Sequence, residues 1–106
     1  MTIDEYIESC RILDEMADAT AKSKRKAYAG DGDPLRNFRK QAAFEGKSEY
    51  QIIQTFMNKQ LTSINNAIES DPFKPIDHSE GMQSRLVDVI NYAKILHAKL
   101  LEDGLV

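Results

Sequence analysis

Apolar positions recur along this chain at intervals of three and four, and the intervals persist long enough to predict helices throughout. The first stripe runs Ile3, Tyr6/Ile7, Cys10, Leu13, Met16/Ala17, Thr20/Ala21 and Ala27/Tyr28, the spacing of one buried helical face. Thr2 with Glu5 three residues on forms a capping box at its start, and Gly30 is expected to stop it. Asp33 then reads as an N-cap with Pro34 at the first helical position. The second helix is short, from Pro34 to about Glu45, with Gly46 as its stop. Ser48 and Gln51 make another capping box ahead of a stripe of Tyr50, Ile53, Phe56/Met57, Leu61, Ile64 and Ala67/Ile68. The stretch SDPFKPID carries prolines at 72 and 75 and is expected to be a connection. Asp77 with Glu80 is expected to cap a fourth helix, which runs through MQSRLVDVINYAKILHAKLLE and ends before Gly104. No strand-like alternation, internal repeat or low-complexity segment interrupts this pattern.

Three long helices and one short one, joined by short connections, predict an all-α antiparallel helical bundle formed as a single domain over residues 1–106. A helix of about 24 residues is about 36 Å long. Rods of that length bury little surface per residue in a chain of 106 residues, so a homo-oligomer is expected.

Composition narrows the class. Hydrophobic residues make up 42% of the chain, enough for a thin core. Apolar runs reach only two or three residues, far short of the ~18 that a membrane-spanning helix needs. The acidic start MTIDEYIESC lacks the basic and apolar regions of a secretory signal. Cys10 is the single cysteine, in keeping with a reducing compartment. A cytoplasmic protein is therefore expected, without a membrane partner.

The net charge of −3 conceals an asymmetry. Residues 1–20 hold six acids (Asp4, Glu5, Glu8, Asp14, Glu15, Asp18) against Arg11. Residues 22–40 hold seven bases (Lys22, Lys24, Arg25, Lys26, Arg36, Arg39, Lys40) against Asp31 and Asp33. A pI near 5.3 argues against broad nucleic-acid coating, and leaves room for a local pocket for one anionic ligand.

Three constellations could carry chemistry. On the fourth helix, Glu80, Ser84, Asp88 and Asn91 share a band opposite Met82, Leu86, Val89, Ile90, Ala93, His97 and Leu100. That band is either a cleft wall or the wet side of an amphipathic helix. On the first helix, DEMAD sets Asp14 and Asp18 on one face, and paired carboxylates at that spacing can hold magnesium. At AYAGDGDPLRNFRK, the helix start at Asp33-Pro34 offers unpaired N–H groups to a phosphate, with Arg36, Arg39 and Lys40 close by. No Cys/His spacing suggests zinc, and no serine sits in a nucleophile elbow.

Taken together, Lys24 and Tyr28, Asp33-Pro34 with Asn37-Phe38-Arg39, Gly46, Lys59, and Glu80 with Asp88, Asn91, Tyr92 and Ala93 resemble the nucleotide modification associated domain 1 family of phages and prophages. The likeness covers roughly residues 22 to 101. A fainter likeness links the helical layout to the all-α MazG-like nucleotide pyrophosphatases. Two departures stand out. Ser84 occupies a position where family members usually carry an acid, and the second acidic motif of the pyrophosphatases is absent.

The resemblance implies a phage-type protein, in the host cytoplasm if phage-encoded, that binds a phosphorylated nucleotide. It would sequester that ligand, with no cofactor, through Lys24, Tyr28, Arg36, Asn37, Phe38, Arg39, Lys59, Asp88, Asn91 and Tyr92. An alternative is a magnesium-dependent nucleoside triphosphate pyrophosphohydrolase with Glu15, Asp18, Glu80 and Asp88 as metal ligands. A third is a protein–protein inhibitor that blocks a host defence factor, steered by charge.

Overall fold

The computed structural model describes residues 1–28 and 32–106, the side chains of 25–28 excepted. Its regular elements are all helical: α1 (Ile3–Tyr28), α2 (Arg36–Glu45), α3 (Glu49–Ser70) and α4 (Met82–Glu102). Among the described residues there is no strand, and no helix is long and apolar enough to cross a membrane. The expected stop at Gly30 lies outside the described residues.

Local chemistry sets most boundaries. At the start of α1, the Thr2 amide donates to the Glu5 carboxylate at 3.1 Å and the Glu5 amide to Thr2 Oγ1 at 3.1 Å. Ser48 and Gln51 repeat that reciprocal arrangement at the start of α3. Gly46 closes α2 at φ 66°, and the Lys47 amide donates back to the Ala42 carbonyl at 3.0 Å. A left-handed residue there lets the trailing amides satisfy orphan carbonyls.

Two helix starts differ from expectation. Asp33 does accept from the Leu35 amide (2.9 Å), but α2 opens at Arg36 rather than Pro34. Leu35 sits at φ −94°, ψ 0°, and the Arg36 amide bonds the Asp33 carbonyl (3.2 Å), so a tight turn precedes the first α-helical bond. Nor does Asp77 cap α4, whose N-cap is Gly81 at φ 88°. Asp77 instead accepts from the Ser79 amide (2.9 Å), from Ser79 Oγ (2.8 Å) and from Arg85 Nε (2.6 Å).

α4 packs against both α3 and α1, while α2 packs on α3. Early α3 meets late α4, where the Tyr50 hydroxyl donates to Asp103. Gln60, further along α3, meets Arg85 at the opposite end of α4. The core is small: Ile52 and Ile53 are its largest fully buried side chains, joined by Leu35, Val87 and three alanines.

The buried face of α4 is not the one its apolar pattern predicts. Leu86, Ala93 and His97 are exposed, whereas Arg85, Val87, Asn91 and Lys99 are buried. Burial of these polar groups requires partners. Arg85 reaches Asp77, Gln60, Ser79 and Glu80, tying the 71–81 connection to the middle of α3 and the start of α4. Lys99 reaches Glu49, Glu102 and Asp103. The expected stripe of α1 is likewise only partly used. Ala17 is buried and Leu13, Thr20 and Ala21 are half-buried, but Ile3, Tyr6 and Ile7 stand in solvent.

Candidate functional site

A cleft of about 690 Å³ opens where the four helices approach one another. α1 contributes Asp18, Ala21 and Lys24, and the turn into α2 contributes Asp33, Pro34 and Leu35, with Phe38 one helical turn on. α3 supplies Phe56, and α4 supplies Asn91, Tyr92, Lys94, Ile95 and Ala98. The volume falls in the range of small-molecule sites. The α2 tip and the Asn91 rib of α4 thus share one cavity.

Three rings form its aromatic part. Phe56 and Tyr92 stack with centroids 6.0 Å apart and planes 15° apart, and Phe38 stands edge-on to both, at 5.8 and 6.4 Å. Such geometries suit the ring quadrupoles. Burial pushes the Tyr92 hydroxyl above its ordinary pKa, so Tyr92 stays a neutral donor at physiological pH.

The cations of the cleft are Lys24 and Lys94. Lys24 Nζ lies 3.5 Å from Asp88 Oδ1 and 5.8 Å from the centre of the Tyr92 ring. Its side chain remains about half exposed, while that of Asp88 is largely covered. The lysine side of the pair is therefore open to an incoming anion, while Asp88 keeps its carboxylate covered.

Asn91 is the most unusual polar group in the wall. It is 7% exposed and donates its Nδ2 hydrogen to the Ala17 carbonyl of α1 at 3.0 Å. Its Oδ1 is buried without a hydrogen-bond partner. Leaving a buried amide oxygen unpaired costs about 1–3 kcal/mol.

No family model, curated protein or solved structure matches this chain.

The structure brings Lys24, Phe38, Asn91 and Tyr92 together in the cleft, with Asp88 beside it through Lys24. Arg36, Asn37, Arg39 and Lys59 do not line it, and the Tyr28 side chain lies outside the described residues. Arg39 turns instead to carboxylates, with Nε 2.8 Å from Asp33 Oδ2. Nη1 and Nη2 of Arg39 grip both oxygens of Glu102 at 2.9 and 2.7 Å, and Glu49 is 3.4 Å away. A guanidinium so surrounded joins α2, α3 and α4 and has little left for a phosphate.

Each of the four carboxylates of the magnesium alternative has a cationic partner, and of the four only Asp18 lines the cleft. Glu15 pairs with Arg11, Asp18 with Lys22, Glu80 with Arg85 and Asp88 with Lys24. Among the described residues no three Asp, Glu, His or Cys side chains converge as a metal-binding group.

Sequence reasoning passed over Phe56, Lys94, Ile95 and Ala98 as site residues. Lys94 lies three residues beyond Asn91, so their shared helical face was a usable signal. Phe56 reads as an ordinary core position, and only its partners in space mark it otherwise.

Proposed function

We propose that this antiparallel helical bundle binds a phosphorylated nucleotide in the four-helix cleft and holds it without turnover. The reading rests chiefly on Asn91, a buried amide with an unpaired oxygen set in a wall of aromatic rings and lysines. A base offers a flat face to Phe38, Phe56 or Tyr92, and its N–H groups meet the Asn91 oxygen once that side chain turns out into the cleft. A phosphate offers its charge to Lys24 and Lys94. The resemblance noted in the sequence points to the same ligand class, and a phage-type role in sequestering a nucleotide signal in the cytoplasm follows from it.

The test is a panel of nucleoside mono-, di- and triphosphates and cyclic dinucleotides. Each is assayed by thermal shift and calorimetry with and without magnesium, and the ligand is then analysed for breakdown. Stabilisation that needs no metal, with the ligand recovered intact, is the expected result. Metal-dependent product release would replace retention by hydrolysis. No stabilisation by any member of the panel would overturn the reading.

A further inference from the structure

Positive and negative charge are unevenly placed around the four-helix cleft. Its two lysines, Lys24 and Lys94, stand on α1 and α4, and two aspartates, Asp18 and Asp33, line it as well. Asp33 belongs to a cluster that is acidic in sum. Arg39 and Lys99 together face four carboxylates there, Asp33, Glu49, Glu102 and Asp103, at 2.5 to 3.4 Å. Asp18 is matched by Lys22 at 2.9 Å, and Lys24 lies 3.5 Å from Asp88. Among the described residues that line the cleft, Lys94 is the cation with no carboxylate partner.

We infer that the cleft selects a nucleotide with one phosphate, a nucleoside monophosphate, over the corresponding di- and triphosphates. This rests on the nucleotide-binding reading above and adds the charge class of the ligand. A phosphate monoester carries about −1.5 to −2 charges at pH 7. Lys94 offers a whole positive charge and Lys24 one shared with Asp88, which that group matches. Each further phosphate adds negative charge, and Arg36, Arg39 and Lys59 do not line the cleft to meet it. A phosphate chain extended from the lysines towards the α2 turn meets Asp33 and the carboxylates gathered behind it. Like charges at such short range repel.

The second support is the aromatic platform. Phe38, Phe56 and Tyr92 lie against one another with centroids 5.8 to 6.4 Å apart, so they form one surface rather than two. One platform takes one base. The remaining walls add the apolar groups of Leu35, Ile95 and Ala98, and a mostly apolar site with few polar groups favours a ligand charged at one end only. A nucleoside monophosphate has that form: a flat base, a sugar and a single terminal charge.

The test is calorimetry at low salt without magnesium, on the nucleoside and its mono-, di- and triphosphate for each common base. For the base bound best, the monophosphate is expected to bind about tenfold more tightly than either the nucleoside or the triphosphate. Lys94→Met changes an exposed side chain and is expected to bring the monophosphate down towards the nucleoside. Asp18→Asn removes an acid from the wall and is expected to narrow the margin between mono- and triphosphate. A triphosphate bound as tightly as the monophosphate overturns the inference and leaves the nucleotide reading standing. So does a Lys94→Met protein that keeps the monophosphate preference, or an Asp18→Asn protein whose margin is unchanged. Binding by no member of the series overturns the nucleotide reading, and this inference with it.

Discussion

Replacing Asn91 by leucine separates a group kept for the ligand from one kept for the fold. Both side chains branch once at Cγ, so the change empties no space, although leucine is the bulkier and crowding subtracts from any gain. One hydrogen bond is lost, from Nδ2 to the Ala17 carbonyl, worth about 1 kcal/mol net. That carbonyl lies inside α1 and keeps its helical partner. Against the loss, the unpaired buried Oδ1 disappears, relieving about 1–3 kcal/mol. Asn91→Leu is therefore expected to match the parent or exceed it by up to about 2 kcal/mol, a rise of up to about 8 °C in midpoint for a domain of this size. Nucleotide affinity is expected to fall at least about tenfold, equivalent to about 1.4 kcal/mol. Thermal denaturation and calorimetry on the same two proteins measure both quantities. A midpoint lowered by about 8 °C or more would show that Asn91 serves packing, and unchanged affinity would remove it from the site.

Two further predictions concern the polar clamps. Arg39 and Lys99 hold the Glu102 carboxyl down to about 2, and Arg85 with Ser79 holds Asp77 still further below the ordinary carboxylate range. Because the unfolded chain binds these protons more tightly, stability is fully present above about pH 4.5 and lost as pH falls towards 2. Midpoints measured across pH should be level from neutrality to about 5 and then decline, and Arg39→Met should flatten the decline. A profile independent of pH down to 3 would contradict the ion pairing. Arg85→Met should leave Asp77 without its guanidinium and release residues 71–81 from α3 and α4. Limited proteolysis should then cut within that connection faster than in the parent, and equal cutting rates would show that Arg85 does not anchor it.

The starts of α1 and α3 were readable because a cap is a local bargain: Thr2 with Glu5 and Ser48 with Gln51 complete their bonds within three residues. The Asp33 and Asp77 signals made turns instead of caps. The facing of α4 was not readable, because an apolar count treats Arg85 and Lys99 as outward. Their burial depends on Asp77, Gln60 and Glu49 arriving from elsewhere in the chain. Arg39 escaped for the same reason, since Glu102 lies 63 positions away. A turn signal marked the approach to α2 and a helical spacing marked Asn91, but neither could place one against the other. Which cations accompany them was not legible, because neighbouring lysines and arginines look alike until their acids are placed.

The Arg39 clamp has a mechanical corollary. By fastening α2, α3 and α4 at one end, it makes three sides of the cleft a single stiff jaw. The opposing side belongs to α1, which meets that jaw through α4 at Ala17–Asn91 and Lys24–Asp88. The width of the cleft is therefore set by how α1 seats on α4 at those two contacts.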